Sequence, residues 1–306
     1  MKIDAARCEI VVCDGVTGGR AARVGWMRKH LTARLAEREL DVVHFPFASG
    51  PFDYEGAAVV TQHDTVRFQL RSATSRAAVR ERGRIDRQIA QAGWHVIVPS
   101  GVEAEVFATH TGVARSRVAV VHHGVSDAMR VDDPVEARTY AVWAGSPYRH
   151  KNVETLTEAW RVFGRRGVDA PRLRLIGAAD GVADLPDGAT AEAAVAHEQL
   201  AGVYQHALVM LFPSKYESFG LPVLEAMAAG TPVIGSRLPV FEELFGERML
   251  MVDADDPAAW ADAVARLASD AALWERLSRG GRDHAAGFTW ERCARETAAV
   301  YRGAIG

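Results

Sequence analysis

The sequence predicts an α/β protein built from two doubly wound, Rossmann-like domains. Short apolar runs that suit strands buried in parallel sheets alternate with helical stretches along the whole chain. At 306 residues there is enough chain for two domains of ordinary size. A polar stretch over residues 125–138, containing Asp132-Asp133-Pro134, divides the alternation into two series and reads as a linker.

The first domain is expected over residues 1–128. A strand at 10–13 leads through a glycine turn at 15–19 into a helix from 21 to about 39, and strands follow at 42–45, 58–61, 95–98 and 118–121. The second domain is expected over 129–288. It opens with a strand at 140–145 and a helix from 153 to about 166. Strands at 173–176 and 207–212 then bracket a helix near 198–206, and further strands are expected at 232–235 and 249–252. Asp256-Pro257 caps a helix running to Leu267, with Trp260, Val264 and Leu267 on one apolar face. Residues 289–306 form a last helix.

The most informative segment follows the run Ala207 to Phe212. Glu217 and Glu225 lie eight positions apart in Glu217-Ser218-Phe219-Gly220-Leu221-Pro222-Val223-Leu224-Glu225. Pro222 suits the first helical position and Gly230 the position beyond the last turn, which makes a helix of about two turns. Its free N–H groups and positive dipole end suit a diphosphate, and Glu225, one turn in, suits a ribose. A second loop, Gly145-Ser146-Pro147-Tyr148-Arg149-His150-Lys151-Asn152, stands between a strand and a helix and brings Arg149 and Lys151 to the carboxyl edge of the same sheet. Departure of a diphosphate from an anomeric carbon needs cations at the phosphates and polar groups at the sugar. An ordinary strand-turn-helix with two solvated glutamates is the plain alternative.

Residues Pro213 to Val233 resemble the signature Pro-Ser-x-x-Glu-x-Phe-Gly-Leu-Pro-x-x-Glu-Ala-Met-Ala-x-Gly-x-Pro-Val of the family 4 retaining glycosyltransferases at every fixed position. The resemblance implies the glycosyltransferase B fold, with the donor between the domains and the last helix crossing back to the first. It implies transfer of a hexose from a UDP- or GDP-linked sugar to a hydroxyl of a glycan, lipid-linked glycan or natural product, with retention. The implied mechanism is front-face: the departing phosphate helps to deprotonate the acceptor, and no covalent intermediate forms.

The same resemblance assigns roles. Glu217 would meet the donor sugar's hydroxyls, with Ser218, Phe219, Gly220 and Leu221 around the sugar and phosphate, and Glu225 on the ribose. Gly145, Arg149 and Lys151 resemble the family's Gly-x-x-x-x-Arg-Lys-Asn loop, although His150 stands where Arg is usual. His63, in Thr61-Gln62-His63-Asp64, would face the donor sugar, and Gly18 and Gly19 match the glycine turn. His122-His123-Gly124 stands where Pro-Asn-Gly is usual. The first domain is shorter than in the family, so its acceptor side is either more open or completed by another subunit. A nucleotide-sugar epimerase or hydrolase, or a protein that binds the donor without transfer, stays open beside the transferase.

Composition narrows the rest. The charged and hydrophobic fractions, 25% and 48%, are those of a folded soluble protein, and no apolar run is long enough to cross a bilayer. The amino terminus lacks the pattern of a secretion signal, so a cytoplasmic location is expected. The three cysteines, Cys8, Cys13 and Cys293, have no metal-ligand spacing. No metal and no cofactor beyond the donor sugar is expected, and no nucleic-acid partner. Residues 1–130 carry 18 Lys plus Arg against 14 Asp plus Glu, and residues 131–306 carry 18 against 25. Many of the arginines fall between Arg67 and Arg87 (Arg67, Arg71, Arg76, Arg80, Arg82, Arg84, Arg87). That run is either a solvated helix face or a patch for an anionic acceptor or the inner face of a membrane.

Overall fold

The computed structural model describes residues 22, 25–47, 54–70, 76–131 and 138–306. The expected strand at 10–13, Gly18 and Gly19, Arg71, and Asp132-Asp133-Pro134 lie outside the described residues. The chain divides into two compact units, Met1–His122 with Trp290–Gly306, and His123–Thr289.

The described strands of the first unit, β1 (Val43–Phe45), β2 (Ala58–Thr61), β3 (His95–Val98) and β4 (Val118–Val120), form one parallel sheet in sequence order. Its helices are α1 (Thr32–Ala36), preceded by the π-wound turn Met27–Leu31, then α2 (Val66–Gln69), α3 (Arg76–Ala92) and α4 (Gly101–Thr111). Alternate strand residues point to opposite faces. Phe45, Val60, Val96 and Val98 therefore share a core with Ile85 and Ile89 of α3 and Phe107 of α4, while Val59, Ile97 and Val121 belong to a second core. Ser100 caps α4 by accepting from the Glu103 N–H, and Gly112, at φ 76°, closes it in the left-handed region.

One member of the arginine run leaves the expected solvated face. Arg67 is buried and its Nη2 donates to both carboxylate oxygens of Asp86 on α3, each at 2.8 Å. A charge on the buried side of a fold is tolerated when so paired. Arg80, Arg84 and Arg87 do remain exposed, at spacings of four and three that set them along one stripe of α3.

The second unit holds a six-stranded parallel sheet, β10-β9-β8-β5-β6-β7. In chain order its elements are β5 (Tyr140–Ala144), α5 (Val153–Arg166), β6 (Arg172–Ile176), β7 (Ala189–Glu192), α6 (His197–Gln205), β8 (Ala207–Phe212), α7 (Leu221–Ala228), β9 (Val233–Ser236), α8 (Pro239–Leu244), β10 (Leu250–Val252), α9 (Pro257–Ser269) and α10 (Ala271–Ala285). Trp143, Leu156, Leu175, Leu211, Trp260, Val264 and Leu267 meet in one core, so the apolar face expected of the helix after Asp256-Pro257 is the face it buries. Residues 125–131 belong to this unit. The Val125 N–H donates to the Phe288 carbonyl at 3.1 Å and Met129 is fully buried.

The final helix, α11 (Trp290–Ile305), returns to the first unit. Cys293, Val300, Tyr301 and Ala304 pack on Val59, Ile97 and Val121. The Tyr301 hydroxyl lies 2.6 Å from His44 Nδ1, and His44 Nε2 lies 2.8 Å from Thr61 Oγ1. Among the described residues no helix is long and apolar enough to cross a membrane.

Candidate active site

Two loops at the carboxyl ends of β5 and β8 build the site in the second unit. These strands neighbour each other, so the residues beyond their ends emerge side by side. The loops are fastened by the Lys215 N–H, which donates to the His150 carbonyl at 2.8 Å.

The β5 loop has its shape fixed from below. The Gly145 N–H donates to the Ile176 carbonyl at 3.0 Å, and the next residue, Gly177, sits at φ 85°. A Cβ on Gly177 would lie 2.3 Å from the Gly145 carbonyl oxygen, so only glycine admits this approach. Arg149–Lys151 then form one 3₁₀ turn. Asn152 follows at φ 52°, a conformation Asn accepts more readily than other non-glycine residues, and its Nδ2 donates to Thr155 Oγ1 at 2.9 Å and the Ala254 carbonyl at 2.8 Å.

In the β8 loop Phe219 is the buried wedge, packed edge-on to His123 at 5.0 Å and Phe288 at 6.0 Å between ring centroids. Gly220 enters α7 at φ 93°, and a Cβ there would lie 2.8 Å from the Phe241 ring. The helix begins at Leu221, so Pro222 takes its second position rather than the expected first, where its missing N–H is equally harmless. The Thr231 N–H donates to Ala226 and the Gly230 N–H to Met227, at 2.9 Å each, with Gly230 at φ 79°. That is a Schellman closure, and it sets the two-turn length expected from Gly230.

Lys151 and Glu217 meet across the two loops. The Lys151 Nζ donates to Glu217 Oε1 and stands 5.2 Å from the centre of the Phe212 ring. Their side chains keep only 23% and 12% of their exposure. Gly145 and Arg149 share the Lys151 loop and are exposed, while Ser218, Phe219, Gly220 and Leu221 lead directly into α7. Glu225 lies one turn along α7, with 15% of its side chain exposed, and burial raises its carboxyl above the ordinary value.

Of the site residues expected in the first unit, His63 is the one among the described residues. His63 is exposed beyond β2, where its Nε2 lies 2.8 Å from the Pro46 carbonyl and its ring 5.3 Å from Phe47. His197, Tyr204 and Ser236 carry no sequence signal, whereas Ser214 is a fixed position of the signature. His197, at the start of α6, places Nε2 4.0 Å from Glu225 Oε1, and buried Tyr204 on the same helix has its hydroxyl pKa pushed up by burial and by Glu225. Ser214 and Ser236, just past β8 and at the end of β9, carry buried hydroxyls that find no hydrogen-bond partner among the described residues. Among those residues no group of three or more His, Cys, Asp or Glu is arranged to hold a metal ion.

Two parallel-sheet α/β units are the architecture of glycosyltransferase B structures. Sucrose-phosphate synthase from Thermosynechococcus elongatus superposes with a TM-score of 0.72 at 24% identity, over 92% of this chain and 77% of that one. A glycosyltransferase from Rickettsia africae superposes with a TM-score of 0.72 at 12% identity, over 96% and 84%. The Anabaena protein HepE, in complex with UDP and glucose, gives 0.68 at 14% identity, over 88% and 80%.

Residues 5–128 match the family model described as Glycosyltransferase Family 4, and residues 138–270 match Glycosyl transferases group 1. The chain belongs to this family of glycosyltransferases. The D-inositol 3-phosphate glycosyltransferase of Streptomyces avermitilis is 32% identical over 255 residues, 71% of this chain and 53% of the relative. That of Corynebacterium urealyticum is 41% identical over 107 residues, 34% of this chain and 25% of the relative. The chain thus spans about half or less of the length of these two relatives.

Proposed function

We propose that the protein transfers a hexose from a nucleoside diphosphate sugar, UDP- or GDP-linked, to a hydroxyl acceptor with retention of anomeric configuration. The contact of Lys151 with Glu217 beside the amino end of α7 carries this reading. It joins a cation suited to a leaving diphosphate to a carboxylate suited to sugar hydroxyls. Glu225 follows one turn along α7 and takes the ribose in this reading. The UDP and glucose held by HepE support a donor of this class.

In the reaction proposed, Lys151 and Arg149, with the N–H groups opening α7, stabilise charge growing on the diphosphate as the glycosidic bond breaks. Glu217 orients the hexose, and the departing phosphate takes the acceptor's proton. Gly145 and Ser218 to Leu221 bring backbone close to the donor. His63, Gly18 and Gly19 are proposed contributions of the first unit. No metal is required, so turnover should persist in excess chelator.

The names of the curated relatives put phosphorylated polyols first among acceptors to try, beside glycans and lipid-linked glycans. The exposed stripe Arg80, Arg84 and Arg87 supports an anionic acceptor or the inner face of a membrane as partner, in a cytoplasmic protein.

The test is sugar transfer from a panel of UDP- and GDP-sugars, with product anomers assigned by NMR. Lys151→Ala should lose roughly 10²–10³ in turnover, the scale of a lost transition-state donor. Glu217→Gln with full transfer would remove Glu217 from the mechanism, and an inverted product would overturn retention.

A further inference from the structure

Glu225 stands in a setting that disfavours its charge. Its side chain is mostly enclosed, and burial raises its pKa. Helix α7 carries no other titratable side chain. The elements packed on it bring His197, Glu198 and Tyr204 from α6, Asp127 from the 3₁₀ turn Asp127–Met129, and Glu275, Arg276, Arg279, Arg282, Asp283 and His284 from α10. Of these, His197 is the group that opposes the effect of burial at Glu225. Its Nε2 is 4.0 Å from Glu225 Oε1, too far for a hydrogen bond but close enough for a charge interaction. Tyr204 lies on the same helix, two turns on, and Glu225 disfavours its ionisation.

From this geometry we infer that His197 is a positioning residue of the donor site: from 4.0 Å it favours the ionised Glu225 carboxylate that would accept from the nucleoside diphosphate's ribose. The inference rests on the reading of Glu225 as the ribose carboxylate. An ionised carboxylate accepts hydrogen bonds through both oxygens, whereas a protonated one loses acceptor capacity. His197 touches no reacting atom in this scheme. With 52% of its side chain exposed, it can be replaced without opening the core.

The test compares binding of UDP, GDP, ADP and TDP to wild type, His197→Gln and His197→Lys from mildly acidic to mildly basic pH. Wild type should bind one of the four, with affinity falling on the acid side as Glu225 protonates. His197→Gln removes the group that opposes burial. Affinity should drop about two- to fivefold, the scale of a partly exposed ion pair, and the acid limb should move to higher pH. His197→Lys, which places a cation at this position, should restore both. In a Glu225→Gln background, His197→Gln should do nothing more.

A His197→Gln profile that overlays wild type would overturn the role of His197 and leave the donor site standing. A shift of equal size in the Glu225→Gln background would also overturn it, because the effect would not pass through Glu225. Wild type that binds none of the four at any pH would overturn the donor site and the role of His197 together.

Discussion

Replacing Lys151 with Met removes the ammonium, which stands 5.2 Å from the centre of the Phe212 ring, but keeps most of the aliphatic stem. It leaves Glu217 with 12% of its side-chain exposure and no cation at its oxygen. Breaking a fully buried ion pair costs about 3–5 kcal/mol, and breaking an exposed one about 0–1. Lys151 at 23% and Glu217 at 12% exposure sit nearer the buried limit, which puts Lys151→Met at about 2–3 kcal/mol. For a unit of this size that corresponds to a fall in melting temperature of about 5–10 °C. The double variant Lys151→Met/Glu217→Gln removes the stranded charge and should recover more than half of the loss. Thermal and urea unfolding followed by near-UV circular dichroism measure both. A single variant that melts within about one degree of wild type would refute the claim that the pair is formed and desolvated. A double variant no more stable than the single one would show that the loss came from packing of the stem.

Three further outcomes follow from the geometry. Gly177→Ala forces a Cβ to within 2.3 Å of the Gly145 carbonyl at a positive φ, so it should cost about 2–4 kcal/mol and weaken nucleotide binding by displacing the Lys151 loop; urea midpoints and calorimetric titration check both. Glu225→Gln should stabilise the protein while weakening nucleotide binding roughly 10–100-fold. The sign of the first effect comes from linkage. A carboxyl whose pKa is raised in the folded state penalises folding above the ordinary carboxylate range, so the gain should be present near neutral pH and vanish in acid, as unfolding at several pH values would reveal. Tyr301→Phe leaves half-buried His44 without its 2.6 Å partner and should cost about 1–2 kcal/mol, read by hydrogen exchange of the β1 and β2 amides.

Legibility in the sequence followed the reach of each interaction. The strand at residues 95–98 and the helix at 153–166 were readable to the residue, because their patterns and bounding residues are local. The two-turn length of α7 was readable because Gly230 occupies a position whose φ excludes most other residues. By contrast, β7 was invisible: it is a half-exposed edge strand, Ala189-Thr190-Ala191-Glu192, with no apolar run. The helix α10 was missed because its buried Leu273, Trp274 and Leu277 are interleaved with charge and only Asp270 separates it from α9. Partnerships across the fold were beyond reach. Lys151 and Glu217 are 66 positions apart, and Arg67 finds Asp86 across 19, so charge counting assigned Arg67 to the solvent.

The return of α11 to the first unit has a consequence for synthesis. Val59, Ile97 and Val121 leave the ribosome before the second unit is made, yet Cys293, Val300, Tyr301 and Ala304, which pack on them, emerge only after it. During translation one face of the first sheet waits uncovered while the whole second unit is made and can fold. The first of these two units is therefore completed only after the second has been made, and the apolar residues that α11 covers stay open to chaperones or to aggregation throughout that interval.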